Sequence, residues 1–268
     1  MFSVGTLLAG LLLTLGSAGC ASHNHSQKVI FLDGAGHLGA ATSVARGMRA
    51  AGYDGDFDRF VWTSFMLWGA DHLLAARSDL NASRLASQVE EFRNAHPDGR
   101  IVLMGLSSGT EVIRNALARL PDGVNVDTVV FFQSSISATT DLSPSLEHVR
   151  NKLFATCSPK DLILGGLLVT ADGKTDKPAG RTGFKVPRAV PAARRTSYTK
   201  VLNLPWQSKY DLWGWSGGHV DSTSSEFVRR VIYPRTFGSQ SGAQDSQPRG
   251  TSPQHEENAA AGVKINKS

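Results

Sequence analysis

Residues 101–120 read IVLMGLSSGTEVIRNALARL, and two hydrophobic periods meet inside them. Ile101 to Met104 is a continuous apolar run, as expected of a strand buried on both faces. Val112, Ile113, Ala116, Leu117 and Leu120 then recur at helical spacing until Pro121 stops the helix. Between them lies Gly105-Leu106-Ser107-Ser108-Gly109, a G-x-S-x-G pattern in the strand–turn–helix context that gives it meaning. A serine on so sharp a turn has a strained backbone, and glycines two residues to either side let neighbouring chain pass without a Cβ clash. The Ser107 hydroxyl is therefore expected above the end of a sheet, with N–H groups at the start of the next helix aimed at the same point.

The alternation extends outward in both directions. Lys28 to Leu32 is a short apolar run ending at Asp33-Gly34-Ala35-Gly36, after which Ala41, Val44, Ala45 and Met48 follow helical spacing. Phe60 to Thr63 is a weaker strand candidate, and Leu85, Val89 and Phe92 mark a second helix. Thr128 to Phe132, Lys152 to Thr156 and Tyr198 to Leu204 supply further strands. Thr223-Ser224-Ser225-Glu226 has the form of a capping box opening a last helix, closed by Pro234. Mostly apolar strands separated by helices predict an α/β fold, a mostly parallel central sheet with helices on both faces. In such sheets the chemistry sits at the carboxyl ends of the strands.

The chain has 268 residues, 41% hydrophobic and 19% charged, which excludes a polytopic membrane protein, a coiled coil and a wholly disordered chain. The patterned domain is expected over 28–237 and a disordered tail over 238–268, rich in Ser, Gln, Gly, Asn and Ala. Two cysteines exclude a disulfide scaffold and a Cys-rich zinc site, and no metal and no cofactor are expected. The formal net charge is +5, and Asp172 to Arg195 alone, with seven basic and two acidic residues, carries that excess. This stretch reads as a loop or lid, which is simply solvated, touches anionic headgroups or receives acidic substrates. Nucleic acid is not an expected partner, because Phe184 is the one aromatic within the basic run. Gly34, Gly36 and Gly39 also fit a dinucleotide fingerprint, with Asp56 at about the distance of a ribose ligand.

Residues 4–16, VGTLLAGLLLTLG, are too short for a comfortable membrane span and suit the apolar region of a signal peptide over 1–19. The following Ser17-Ala18-Gly19-Cys20 resembles the lipobox of bacterial lipoproteins. The resemblance implies lipidation of Cys20, a short polar tether over 20–27 and a place on a membrane surface of the bacterial cell envelope. Secretion after ordinary cleavage, or attachment by an uncleaved N-terminal anchor, is the alternative.

A nucleophilic serine needs a histidine, and the histidine needs a carboxylate. His23, His25 and His255 lie in presumed flexible segments, His96 and His148 in or beside helices, and His37 and His72 precede the serine. His219 lies downstream in the glycine-rich Gly217-Gly218-His219. Asp161, after the strand ending at Thr156, and Asp141, after the strand ending at Phe132, both sit at carboxyl ends, and Asp161 is favoured. Asp221 is too near His219 in sequence to approach its ring from behind.

Ser107, Asp161 and His219, in that order on an alternating sheet, resemble the catalytic triad of the α/β-hydrolase superfamily over about residues 28–235. The resemblance implies a serine hydrolase of esterase or lipase type acting on a small acyl-ester substrate. It also implies an oxyanion hole from the N–H of Ser108 with one from Ala35 or Gly34, and His37 either lining the pocket or starting a helix. A non-catalytic envelope lipoprotein using the same fold as a binding module is the alternative.

Overall fold

A computed structural model describes residues 23–35, 39–62 and 77–238. The signal segment, Cys20, Gly36, His37, His72 and the tail from residue 239 lie outside the described residues. The compact unit ends at Phe237.

Six strands, β1 (Asn24–Leu32), β2 (Gly55–Arg59), β3 (Arg100–Leu106), β4 (Thr128–Phe132), β5 (Leu153–Cys157) and β6 (Val201–Pro205), form one sheet in the order β2-β1-β3-β4-β5-β6. Every pairing is parallel. Because strand side chains alternate, each strand feeds two cores. Ile30, Leu32, Ile101, Leu103, Val129 and Phe131 meet α2 (Asp79–Ala95) and α3 (Gly109–Leu117) on one face. Val29, Phe31, Val102, Met104, Val130 and Phe132 meet α1 (Ala40–Ala50) and the helical segment 225–236 on the other. The apolar character that makes the central strands legible thus follows from burial on both sides.

The strand order also places the site. After β1 the chain moves outward to the edge strand β2, then returns to β3 on the other side of β1. The helices that follow β1 and β3 therefore pack on opposite faces of the sheet, which makes this the kind of switch point where open α/β sheets bind ligands.

Several local expectations are corrected. The strand expected at Phe60 to Thr63 lies just upstream, at β2 with sequence GDFDR. An edge strand has one paired side and tolerates charge, which disguised it, whereas Phe60 and Trp62 are apolar because they enter the core beyond the strand. The polar stretch expected as a tether through Gln27 is ordered from Asn24 onward as the start of β1, so His25 is a strand residue. Tyr198 to Lys200 form the end of a 3-10 turn, and the strand starts at Val201. The capping box is not made: Thr223 Oγ1 donates to the Val220 carbonyl, and Glu226 pairs with Arg229 and Arg230. Nor does Pro234 end the helix, which continues to Thr236 behind a π turn at Val228–Ile232. Proline cannot donate to an earlier carbonyl and crowds the preceding turn, and a π turn is one of the ways a helix absorbs such a defect.

Gly47 is where α1 meets the C-terminal segment, and a Cβ there would stand 2.4 Å from the Ser225 carbonyl oxygen and 2.8 Å from Val228 Cβ. Gly47→Ala is expected to lower stability by about 1–3 kcal/mol through overpacking, read as an earlier urea midpoint with an unchanged slope. An unshifted midpoint would contradict this packing.

Candidate active site

Ser107 follows β3 directly and has φ 53°, a left-handed conformation uncommon for a residue with a Cβ. The surroundings hold it there. Its N–H donates to the Phe132 carbonyl (2.9 Å), and its own carbonyl accepts from the Thr110 N–H (3.1 Å), Thr110 Oγ1 (2.5 Å) and the Ser135 N–H (3.5 Å). The two motif glycines have steric reasons. A Cβ at Gly105 would stand 2.8 Å from Ile113 Cδ1, and one at Gly109 would stand 2.7 Å from the Asp33 carbonyl oxygen and 2.9 Å from that of Leu32. Helix α3 can start this close to β1 only because residue 109 has no side chain.

The loop after β1 lies against the same turn. A Cβ at Gly34 would be 3.2 Å from Ser107 Cβ, so the Gly34–Ala35 backbone borders the serine. Asp33 anchors that loop: its carboxylate accepts from the Ala41 N–H (3.2 Å) and pairs with Arg59 (2.8 Å), while its carbonyl accepts from Trp62 Nε1 (2.8 Å). The Ser108 N–H, at the start of α3, has no acceptor among the described residues and remains available for a ligand.

Two strands away, Asp161 follows β5 and is fully buried. Oδ1 accepts from the Leu164 N–H (2.9 Å), capping α4 (Leu162–Gly165). Oδ2 accepts from His219 Nδ1 (2.7 Å) and Gln133 Nε2 (3.0 Å). Since a carboxylate only accepts, Nδ1 carries the proton, and Nε2 of the neutral ring is left as an acceptor. The His219 loop is built to deliver this ring. Asp221 accepts from Ser216 and, at 3.3 Å, from the Gly218 N–H, while Ser222 Oγ donates to the His219 carbonyl (2.9 Å). Asp221 thus folds the loop and does not face the ring.

The structure therefore joins Asp161 to His219, and it packs Gly34 against Ser107. It does not join Ser107 Oγ to His219 by a hydrogen bond. Asp141 is engaged elsewhere, accepting from the Ser143 N–H (2.8 Å) and Tyr198 Oη (3.3 Å). Asp56 lies at the amino end of β2, away from the Gly34 loop, so the dinucleotide reading loses its ribose ligand. Cys157 is no rival nucleophile, because burial pushes its thiol up to about 11 and keeps it protonated at neutral pH.

Gln133 escaped the sequence reading. It ends β4 with φ 41°, between the strands that carry Ser107 and Asp161. Its N–H donates to Thr156 Oγ1 (3.0 Å), and its amide reaches both Asp161 and the Gly218 carbonyl (3.5 Å). The one available signal was its position, a polar residue following four apolar ones at a carboxyl end.

The basic stretch is stitched in at its first half. Asp172 accepts from the Ser137 N–H, Thr170 and Thr140, and Asp176 accepts from Ser137 and Thr139. Burial acts to raise the Asp172 carboxyl, but these hydrogen bonds outweigh it and hold the group below its ordinary value. Gly180 donates to the Ser134 carbonyl and accepts from the Ser158 N–H, so the segment runs between the loops after β4 and β5.

A family profile described as Cutinase matches residues 44–172, a little under half the chain, spanning the serine turn and Asp161. That match coincides with a parallel sheet whose β3 ends in a left-handed serine. The fold is α/β-hydrolase-like. Among solved structures the chain is similar to Trichoderma reesei cutinase in complex with a phosphonate inhibitor, at 18% identity and TM-score 0.40 over 55% of this chain and 72% of that one. It is also similar to the catalytic core of acetyl xylan esterase from Trichoderma reesei, at 15% identity and TM-score 0.41 over 76% and 97%. A third is a poly(3-hydroxybutyrate) depolymerase from Bordetella parapertussis, at 10% identity and TM-score 0.47 over 79% and 78%. No curated protein matches the chain.

Asp161→Asn would keep the shape of this site but remove the acceptor that fixes the His219 tautomer. Turnover of an ester substrate is expected to fall about ten-thousand-fold with the circular dichroism unchanged. Near-normal turnover would show that the buried pair does not serve the serine.

Proposed function

We propose that this α/β-hydrolase-like chain cleaves carboxylic esters through an acyl-enzyme on Ser107. The observation that carries the reading is a left-handed serine bordered by the Gly34 loop, two strands from a buried Asp161–His219 pair. Ser107 Oγ attacks the ester carbonyl while His219 Nε2 takes its proton, and Asp161 stabilises the imidazolium. The N–H of Ser108, with one from Gly34 or Ala35, holds the oxyanion, each donor contributing roughly 2.7–4 kcal/mol. Collapse of the tetrahedral intermediate releases the alcohol, protonated by His219. Water, deprotonated by the same imidazole, then frees the acid. This path needs the Ser107 hydroxyl to reach the ring, and such bonds often tighten only when substrate binds.

Exposed Leu162, Ile163, Leu167 and Leu168 follow Asp161 directly, which supports an apolar acyl substrate. The absent Ser107–His219 hydrogen bond favours the second reading, a non-catalytic binding module of the same fold. For localisation, the lipobox resemblance supports an exported protein anchored at the cell envelope through Cys20. The exposed Lys174, Lys177, Lys185, Arg188, Arg194 and Arg195 support contact with an anionic membrane surface. Among the described residues no helix is long and apolar enough to cross a membrane.

Ser107→Ala is expected to abolish both hydrolysis of a short p-nitrophenyl ester and labelling by a fluorophosphonate, with the fold intact. Undiminished turnover would refute the nucleophile, and a parent protein that never labels would favour the binding module. Separately, Cys20→Ser should move the protein from the membrane fraction to the soluble one. Retention on membranes would remove the lipid anchor.

A further inference from the structure

The amino end of the sheet, opposite Ser107, carries a cluster that the esterase reading does not use. Sequence reading placed His23 and His25 in a flexible tether, whereas the structure gathers both around Asp56. β1 pairs with β2 at Asn24↔Gly55 and next at Lys28↔Asp56, so three residues of β1 bulge out against a single step of β2. Bulges of this kind re-aim side chains. The bulge is pinned: the Ser26 N–H (3.1 Å) and Oγ (2.6 Å) donate to Asn24 Oδ1, and the Asn24 N–H donates to the Asp54 carbonyl (3.2 Å). Gly55 lets the strands close, since a Cβ there would stand 2.5 Å from the Gln27 carbonyl oxygen. On the other side, Tyr53 Oη donates to the Asp56 carbonyl (2.7 Å) and fixes its backbone.

Within this frame His23 Nε2 lies 2.7 Å from Asp56 Oδ1 and His25 Nδ1 lies 3.4 Å from Asp56 Oδ2, with the imidazoles edge to face at 4.7 Å. One ligand atom from each of the three residues falls within 4.8 Å of the others. Tetrahedral zinc with bonds of about 2.0–2.1 Å sets its ligands about 3.4 Å apart, inside the range already spanned here. Small side-chain rotations on a fixed backbone would complete the geometry. Lys28, which stands opposite Asp56 in the β1–β2 pairing, has its Nζ engaged by Asp58 (2.8 Å).

We propose that His23, His25 and Asp56 form a binding site for a divalent transition metal, zinc, in which two imidazoles and one carboxylate supply three ligands and water the fourth. His25 is 70% exposed, so the fourth position opens to solvent. Two imidazoles with a carboxylate select zinc over the harder calcium and magnesium, which prefer all-oxygen shells. The bound ion ties the beginning of β1 to the edge strand β2, and nothing in this rests on the catalytic reading.

The test uses the full chain, stripped with a chelator and titrated with Co2+ as a spectroscopic probe, then with Zn2+ in competition. One equivalent of Co2+ is expected to give the visible absorption of a four-coordinate centre, displaced by Zn2+, with zinc raising the melting temperature. The double variant His23→Gln/His25→Gln and the single variant Asp56→Asn should each weaken binding at least about tenfold, the loss that even an outer-sphere partner can cause. The double variant alters exposed side chains, and an unchanged metal-free melting temperature checks that it folds. Absence of the cobalt spectrum in the parent, or parental affinity in the double variant, would overturn the site.

Discussion

The turn at Ser107 exists because three segments of backbone can crowd together where two side chains are missing. Helix α3 starts against the carbonyls of Leu32 and Asp33, and the loop after β1 lies against Ser107 Cβ. The approach at Gly109 is closed to any residue with a Cβ, and one at Gly34 would fit only if Ser107 gave way by a few tenths of an ångström. The left-handed serine is then fixed by donors from Thr110 and Ser135 and by the Phe132 carbonyl. Backbone strain persists only where the surroundings over-determine it, and here they do.

The second half of the site depends on a buried carboxylate with three donors. Asp161 caps α4, orients His219 and receives the Gln133 amide, so one side chain joins a helix start, a distant loop and the strand between. A carboxylate buried so completely would be costly without such partners. The same bonds that satisfy it also remove its freedom to turn, which is what a group that orients an imidazole requires.

Central features were legible in the sequence for definite reasons. β3 and β4 are covered on both faces and read as unbroken apolar runs, and the serine turn stands between two different periods. His219 could be selected by its glycine neighbours, though the part played by Asp221 in folding that loop could not. Asp161 and Asp141 follow strands in the same manner, and what separates them is the bond of Asp161 to His219, while Asp141 is held by Ser143 and Tyr198. β2 was misplaced because an edge strand hides its pattern behind charge. Gln133 went unnoticed because its importance comes from what lies on either side of it in the sheet, and neighbours in the chain do not reveal that.

Ser107 and Gln133 share one more property, since both carry a Cβ in left-handed backbone at the ends of adjacent strands. Sparsely populated conformations of this kind cost of order 1–3 kcal/mol each. The rim of the candidate site is thus a region where the molecule is less durable than its own fold allows. Selection for ruggedness alone would erode it, so these two backbone angles set a compromise between endurance and reactivity.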